Sequence, residues 1–391
     1  MGFSQALSGL KASATNLDVI GNNISNSQTV GFKGSKAVFS DVFAGAKTGL
    51  GTRIAAVMQD FSTGSLESSG RNLDLAIDGE GFFRLIQNEQ VVYSRNGQLS
   101  LNNEGYLVNA QGARLTGYPG DVGAGGAPQE LQVPSGALQA KASTAVEATF
   151  NLDARTGVPA VAPFDQDNAD TYSYANNVTL FDSQGKAHNT TLYFSKTGDN
   201  DWDVRMSRDG EVAPETGNLT FDENGVNDNP GALDFTFTPG GGVNPMNISL
   251  DLDDTTQFGS DFELAKMNQD GYAAGSLVGI AIDESGQIVG NYSNEQTQLI
   301  GTIAMADFAN VEGLNPVGDN AWAETSASGP ALVGLAGSGQ LGGIESGVIE
   351  TSNVDLTREL VDLIIAQRNY QANAQTVKVQ EEVLQQAVNM G

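Results

Sequence analysis

The chain has 391 residues, no cysteine, one histidine and a net charge of −28. Missing thiols exclude disulfides, a thiol nucleophile and cysteine-bound metals, and a single imidazole excludes a multi-histidine zinc site. So acidic a chain repels nucleic acid and anionic lipid, which removes both as partners, and its length predicts two or three domains.

The acidity is uneven. Residues 1–160 carry 13 acids and 11 bases, whereas residues 161–391 carry 34 acids and 8 bases. All 11 prolines lie between Pro119 and Pro330. Both ends are therefore open to unbroken helix.

At the N-terminus Phe3, Leu7, Leu10, Ala14, Leu17 and Ile24 alternate in steps of four and three, with Gly21 in one slot. That is an a/d heptad and predicts a helix of about 25 residues. The segment has no basic start and no continuous apolar run, so a cleaved secretory signal is not expected. No stretch reaches the roughly 18–20 apolar residues of a membrane span.

The middle reads as β. Residues 91–109 alternate apolar and polar side chains, and Asn96-Gly97 and Asn103-Glu104-Gly105 predict a meander of hairpins. Short β-rich runs follow at 177–183, 190–196, 202–206, 232–238 and 246–252, with a hairpin-like stretch at 277–289. Gly/Pro-rich 119–136 and 156–170 read as connectors.

Several chemical signals are weak. Asp199, Asp201 and Asp203 have calcium-loop spacing, but Val204 stands where the loop needs glycine and Gly210 where it needs glutamate. Asn177-Val178-Thr179 and Asn189-Thr190-Thr191 are glycosylation triplets by pattern only. His188 sits in a turn-like stretch and reads as a surface histidine. Gly337 to Gly342 matches G-x-G-x-x-G, yet Gly343 follows where a helix should open, so a turn between strands is expected. Neither an enzyme nor a cofactor or metal site is expected.

At the C-terminus Leu356, Leu363, Tyr370, Val377 and Leu384 are each seven apart, and Leu360, Ala374 and Val388 widen the stripe. A helix starting at Ser352 or Asn353 is predicted. Amide side chains, among them Gln367, Asn369 and Asn373, fill its other faces and can be buried through hydrogen bonds. The fold class is α+β. The terminal helices pair as a coiled-coil-like core domain, and mainly-β domains are inserted between them. The expected division is a helical core (1–30 plus 350–391), an extended linker region (31–70 plus 346–349), an inner β domain (71–145 plus 273–345) and an outer acidic β domain (146–272).

The ends carry more than periodicity. Asn22-Asn23-Ile24-Ser25-Asn26-Ser27-Gln28-Thr29-Val30-Gly31-Phe32-Lys33 closely resembles the N-N-I-A-N-x-x-T-x-G-F-K signature of the bacterial flagellar rod and hook protein family. Ser25 replaces the usual alanine, and Val30 stands where rod proteins often have proline. Ser352 to Leu356 and Ala366 to Gln375 resemble the matching C-terminal signature, and Leu73 to Phe83 resembles a third block. Phe3 to Leu10, Gly290 to Gln296 and Phe308 to Leu314 are similar to the hook members. A distal rod protein is the alternative within the family, and a secreted β-sandwich adhesin the alternative outside it.

The resemblance implies a non-catalytic, extracellular subunit of the flagellum that polymerises with itself into a curved flexible tube, a universal joint between rod and filament. It implies passage through the flagellar type III export apparatus, with the distal rod protein, the hook cap protein and the hook-filament junction protein as further partners. The expected assembly interface is Phe3, Leu7, Leu10, Leu17 and Ile24 on the first helix and Asn22, Asn23, Asn26, Gly31 and Phe32 in the motif. On the last helix it is Leu356, Leu360, Leu363, Tyr370, Val377 and Leu384.

Overall fold

A computed structural model describes residues 2–42, 51–120 and 126–389. The chain divides into two compact units. One comprises residues 1–135, 279–290 and 297–391, and the other residues 136–278 and 291–296.

The first unit holds both chain ends. Helix α1 (Gly2–Ser25) lies against helix α2 (Leu356–Asn389) and against the antiparallel pair β1 (Ser35–Asp41) and β2 (Thr52–Gln59). Residues 31–70, expected as an extended linker, thus contain a hairpin-like pair. They also contain β3 (Leu66–Ser68), which pairs with strand Val348–Glu350 so that Leu66 faces Glu350. Helix α2 begins three to four residues later than the sequence suggests. Asp355 is its cap, accepting from the backbone N–H of Thr357 at 2.9 Å and of Arg358 at 3.2 Å. Asn353 does not cap, because its side chain is committed to the β1–β2 region, as described below. No described helix is long and apolar enough to cross a membrane.

The body of this unit is a sheet in which strands 297–307, 114–119, 82–87, 90–94, 321–323 and 315–318 lie in that order. Its core includes Phe82, Tyr93, Phe308 and Trp322, with Phe61 packed against them. The rings meet edge to face, Tyr93 on Phe308 at 4.8 Å and Phe82 on Trp322 at 5.8 Å, the orientation their quadrupoles favour. One expected hairpin is absent. Gly97–Gln98 pairs with Asp74–Leu75 rather than turning back on 90–94, so Asn96-Gly97 marks a change of sheet. Glycine is required there by close approach: an added Cβ would lie 2.1 Å from the Leu75 carbonyl oxygen. Asn103-Glu104-Gly105 does close a hairpin, between 100–101 and 107–108. The 337–342 glycine run is a turn joining strands 332–335 and 343–346, with Gly337 and Gly339 at positive φ.

The second unit is all β in its core. Strands 233–237, 246–251, 145–153 and 256–258, with 263–269, form one sheet, and strands 174–181, 187–196, 201–208 and 211–212, with 217–220, form another. Alternate residues Val146, Ala148, Phe150 and Leu152 point inward, where they join Leu192, Phe194, Trp202, Val204 and Ile248 in one core. The chain enters and leaves side by side, with Leu138 paired to Gly275 and Lys141 to Tyr272.

His188 is buried, not a surface residue. Its Nδ1 lies 2.6 Å from Asp209 Oδ2 and its Nε2 lies 3.1 Å from Asp182 Oδ2. Strand 187–196 carries the ring inward, and two carboxylates 27 residues apart in sequence satisfy it; spacing alone does not show this. Burial works against the Asp182 carboxylate, yet hydrogen bonds from His188 and from the Lys186 and Gln184 N–H groups hold its pKa below the ordinary value. Asp209 is lowered chiefly by His188. Asn177 and Thr191 of the two glycosylation triplets face each other across strands, joined by a 2.8 Å hydrogen bond.

Candidate assembly interface

On α1 the buried residues are Ala6, Ala12, Ile20 and Asn23. At 100° per residue this face lies roughly a third of a turn from the Phe3–Leu7–Leu10–Leu17 stripe. Phe3 (42% exposed) and Leu7 are open, while Leu10, Leu17 and Ile24 are half-buried. Small side chains let α2 come close: a Cβ added at Gly9 would lie 3.0 Å from the Asn373 amide. On α2, Ala366 is buried, and Leu363 and Val377 are half-buried. Leu356, Leu360, Val361, Ile364, Ile365, Tyr370 and Leu384 are exposed. The helix pair is therefore joined by small and amide residues, and much of its apolar stripe is left open on both members.

The motif after α1 acts inside the subunit. Asn22 is exposed and accepts from the half-buried Asn26 amide at 2.7 Å. Asn23 is buried. Its Oδ1 accepts from Ser35 N at 2.9 Å, and its Nδ2 donates to Ser35 O at 2.8 Å and Glu359 Oε1 at 3.1 Å. It thus ties α1, β1 and α2 together. Gly31 is buried at φ +69°, where an added Cβ would lie 2.7 Å from Asn96 N, and its own N–H donates to Glu350 O at 2.8 Å. Phe32 is half-buried. Asn353 Oδ1 accepts from Gly34 N at 2.8 Å, and its Nδ2 donates to Asp60 O at 2.7 Å.

Beneath the motif lies a buried ionic cluster. Lys33, Glu350 and Arg95 have side chains 1%, 0% and 2% exposed. Lys33 Nζ donates to Glu350 Oε1 and to Ser62 O, each at 2.7 Å, and the same Glu350 oxygen accepts from Gly64 N at 2.8 Å. Arg95 donates to Gly79 O at 2.7 Å and faces Glu350 Oε2 at 3.5 Å. Burial pulls the pKa values of Lys33 and Arg95 below their ordinary values, against the raising pull of Glu350.

Comparison with known proteins meets this geometry at both ends and in the middle. Residues 4–33 match the flagella basal body rod protein family and 345–390 the flagellar basal body rod FlgEFG protein C-terminal family. Residues 76–149 match the flagellar hook protein FlgE/F/G D1 domain and 151–272 the flagellar basal body protein FlaE D2 domain. Over 402 residues the chain is 47% identical to the flagellar hook protein FlgE of Salmonella typhimurium and to that of Escherichia coli K12, covering all of each chain. The Borreliella burgdorferi hook protein is 32% identical over 98% of both chains. The chain belongs to the flagellar hook protein family. The fold is similar to that of the Helicobacter pylori flagellar hook protein FlgE2, with a TM-score of 0.57 at 15% identity over 73% of this chain and all of that one.

For this hook-family chain, sequence reasoning found the ends but not their buried wiring. Asn23 and Gly31 were expected at an interface and are spent within the subunit. Arg95 and Glu350 were missed altogether. The one available signal for Glu350 was its place in Gly347-Val348-Ile349-Glu350, an acid closing an apolar run just before the terminal signature.

Proposed function

We propose that this chain is the repeating structural subunit of a flagellar hook. It polymerises into a curved, flexible tube that serves as a universal joint and carries torque from rod to filament. The observation that carries this reading is the open apolar stripe on a helix pair that is already formed. Two helices that had only to stabilise one subunit would turn Phe3, Leu7, Leu360, Ile364 and Ile365 inward; here those side chains remain available. Packing them against the helices of neighbouring copies removes apolar area from water at about 25 cal/mol per Å².

In the tube, residues 1–30 and 350–391 line the central channel. The family points to the distal rod protein, the hook cap protein, the hook-filament junction protein and the type III export apparatus as partners, and to export without a cleaved signal. The role is mechanical, not catalytic. Concentrating the purified full-length chain should yield tubes in electron micrographs and a sedimenting polymer. A chain that stays monomeric at every concentration would refute the reading.

A further inference from the structure

We propose that the buried Lys33–Glu350–Arg95 cluster fixes the direction in which the helix pair leaves the β body, and thereby the geometry of the polymer, rather than adding net stability. The inference rests on the hook-subunit reading. The chain leaving α1 and the chain entering α2 both run past this cluster. Lys33 lies eight residues beyond the end of α1, and Glu350 lies six residues before α2. Arg95 comes from the body itself, where its guanidinium is pinned to Gly79 O and stacks at 5.6 Å over the Phe82 ring of the core.

The arrangement is poor for stability and strict in direction. Two cations share one carboxylate in a site closed to water, and Arg95 Nε finds no acceptor among the described residues. Desolvation of such charges commonly cancels their attraction, and apolar residues of similar size often do as well or better. What apolar residues cannot supply is orientation. Each contact here is a directed bond: Lys33 to Glu350 and Ser62 O, Glu350 to Gly64 N, Arg95 to Gly79 O. They lock the segments before and after the helices onto two fixed loops of the body. In a tube, a small rotation at this point repeats at every subunit, so its effect on twist and curvature accumulates.

The test is the full-length triple variant Lys33→Met, Arg95→Met, Glu350→Met, with a matching Leu set in case methionine packs badly. The first readout is the thermal transition of the helix-bearing unit, followed by Trp322, which should stay within a few degrees of wild type. The second is the shape of the assembled polymer. We expect tubes of changed curvature or helical repeat, or folded subunits that no longer assemble. Tubes indistinguishable from wild type would overturn the proposal. So would failure of both sets to fold, since the cluster would then be a stabiliser. Wild-type protein assembled in parallel separates the two readings: if it forms no tubes, the hook-subunit reading fails first.

Discussion

At the residue scale, polar side chains that read as surface or interface groups are used as internal ties. Sequence gives identity and spacing but no distance, so a histidine in a turn-like stretch and a glutamate ending a strand look solvated until the fold brings partners from far along the chain. Asp182 shows what such a tie does. It holds His188 and two backbone N–H groups while only 2% exposed. Its folded pKa lies below the ordinary carboxylate value of about 3.9. Its contribution is therefore present above about pH 4 and is lost as the pH falls further, toward and through the lowered folded value. Asp182→Asn should cost the β unit about 1–3 kcal/mol near neutrality. It should also make that unit's stability fall less steeply between about pH 5 and pH 2. The chain's two tryptophans make this measurable, because Trp202 lies in the β unit's core and Trp322 in the other. Urea unfolding followed by Trp202 fluorescence in a Trp322→Phe background gives the pH slope, and an unchanged slope would mean that Asp182 does not titrate with folding.

At the scale of elements, the heptads gave both helices and nearly their lengths. The rotation of each helix was not readable. Period analysis weights large apolar residues, whereas the buried face of α1 is mostly small or polar, with Ala6, Gly9, Ala12 and Asn23 beside the single large residue Ile20, and Ala366 is buried on α2. The cap was misplaced for a related reason: Asn353 is a good cap type that the fold uses elsewhere, and Asp355 takes the role. Two neighbouring leucines on α2, one open and one half-buried, lead to a paired prediction. Leu360 is 45% exposed, one turn before the half-buried Leu363. Leu360→Asp should leave the Trp322 transition within about 0.5 kcal/mol of wild type and still prevent polymer from forming, because it puts a carboxylate into the contact between copies. Leu363→Asp should block assembly as well, but should also lower the Trp322 transition by about 1–3 kcal/mol, because part of its contact is already made within the subunit. Thermal melts and sedimentation of both variants provide the check. Normal polymer from Leu360→Asp would place the contact between copies on another face.

At the scale of the whole molecule, the order helix, strands, helix was legible, and so was the acidity of the inserted part. The way the insertion is attached was not, because a paired neck of short strands has no pattern of its own. Since Lys141 and Tyr272 exchange backbone hydrogen bonds at 3.0 and 2.9 Å, residues 142–271 can be replaced by a two-residue Asn-Gly turn. The shortened chain should keep its Trp322 transition and still form tubes; a folded product that never assembles would show that the insertion supplies an essential contact. The same excision tests the role of charge. Residues 136–278 and 291–296 carry 23 acids against 7 bases. When copies assemble, these like-charged units are brought together, and at 0.01 M salt their field extends about 30 Å, against about 8 Å at 0.15 M. Intact subunits should therefore polymerise faster as salt rises across that range, whereas excised subunits, having lost most of the excess negative charge, should respond much less. Light-scattering time courses of both proteins at matched concentration decide it. A rate that falls with salt for the intact chain would mean that attractive ion pairs, not repulsion between acidic units, govern the encounter.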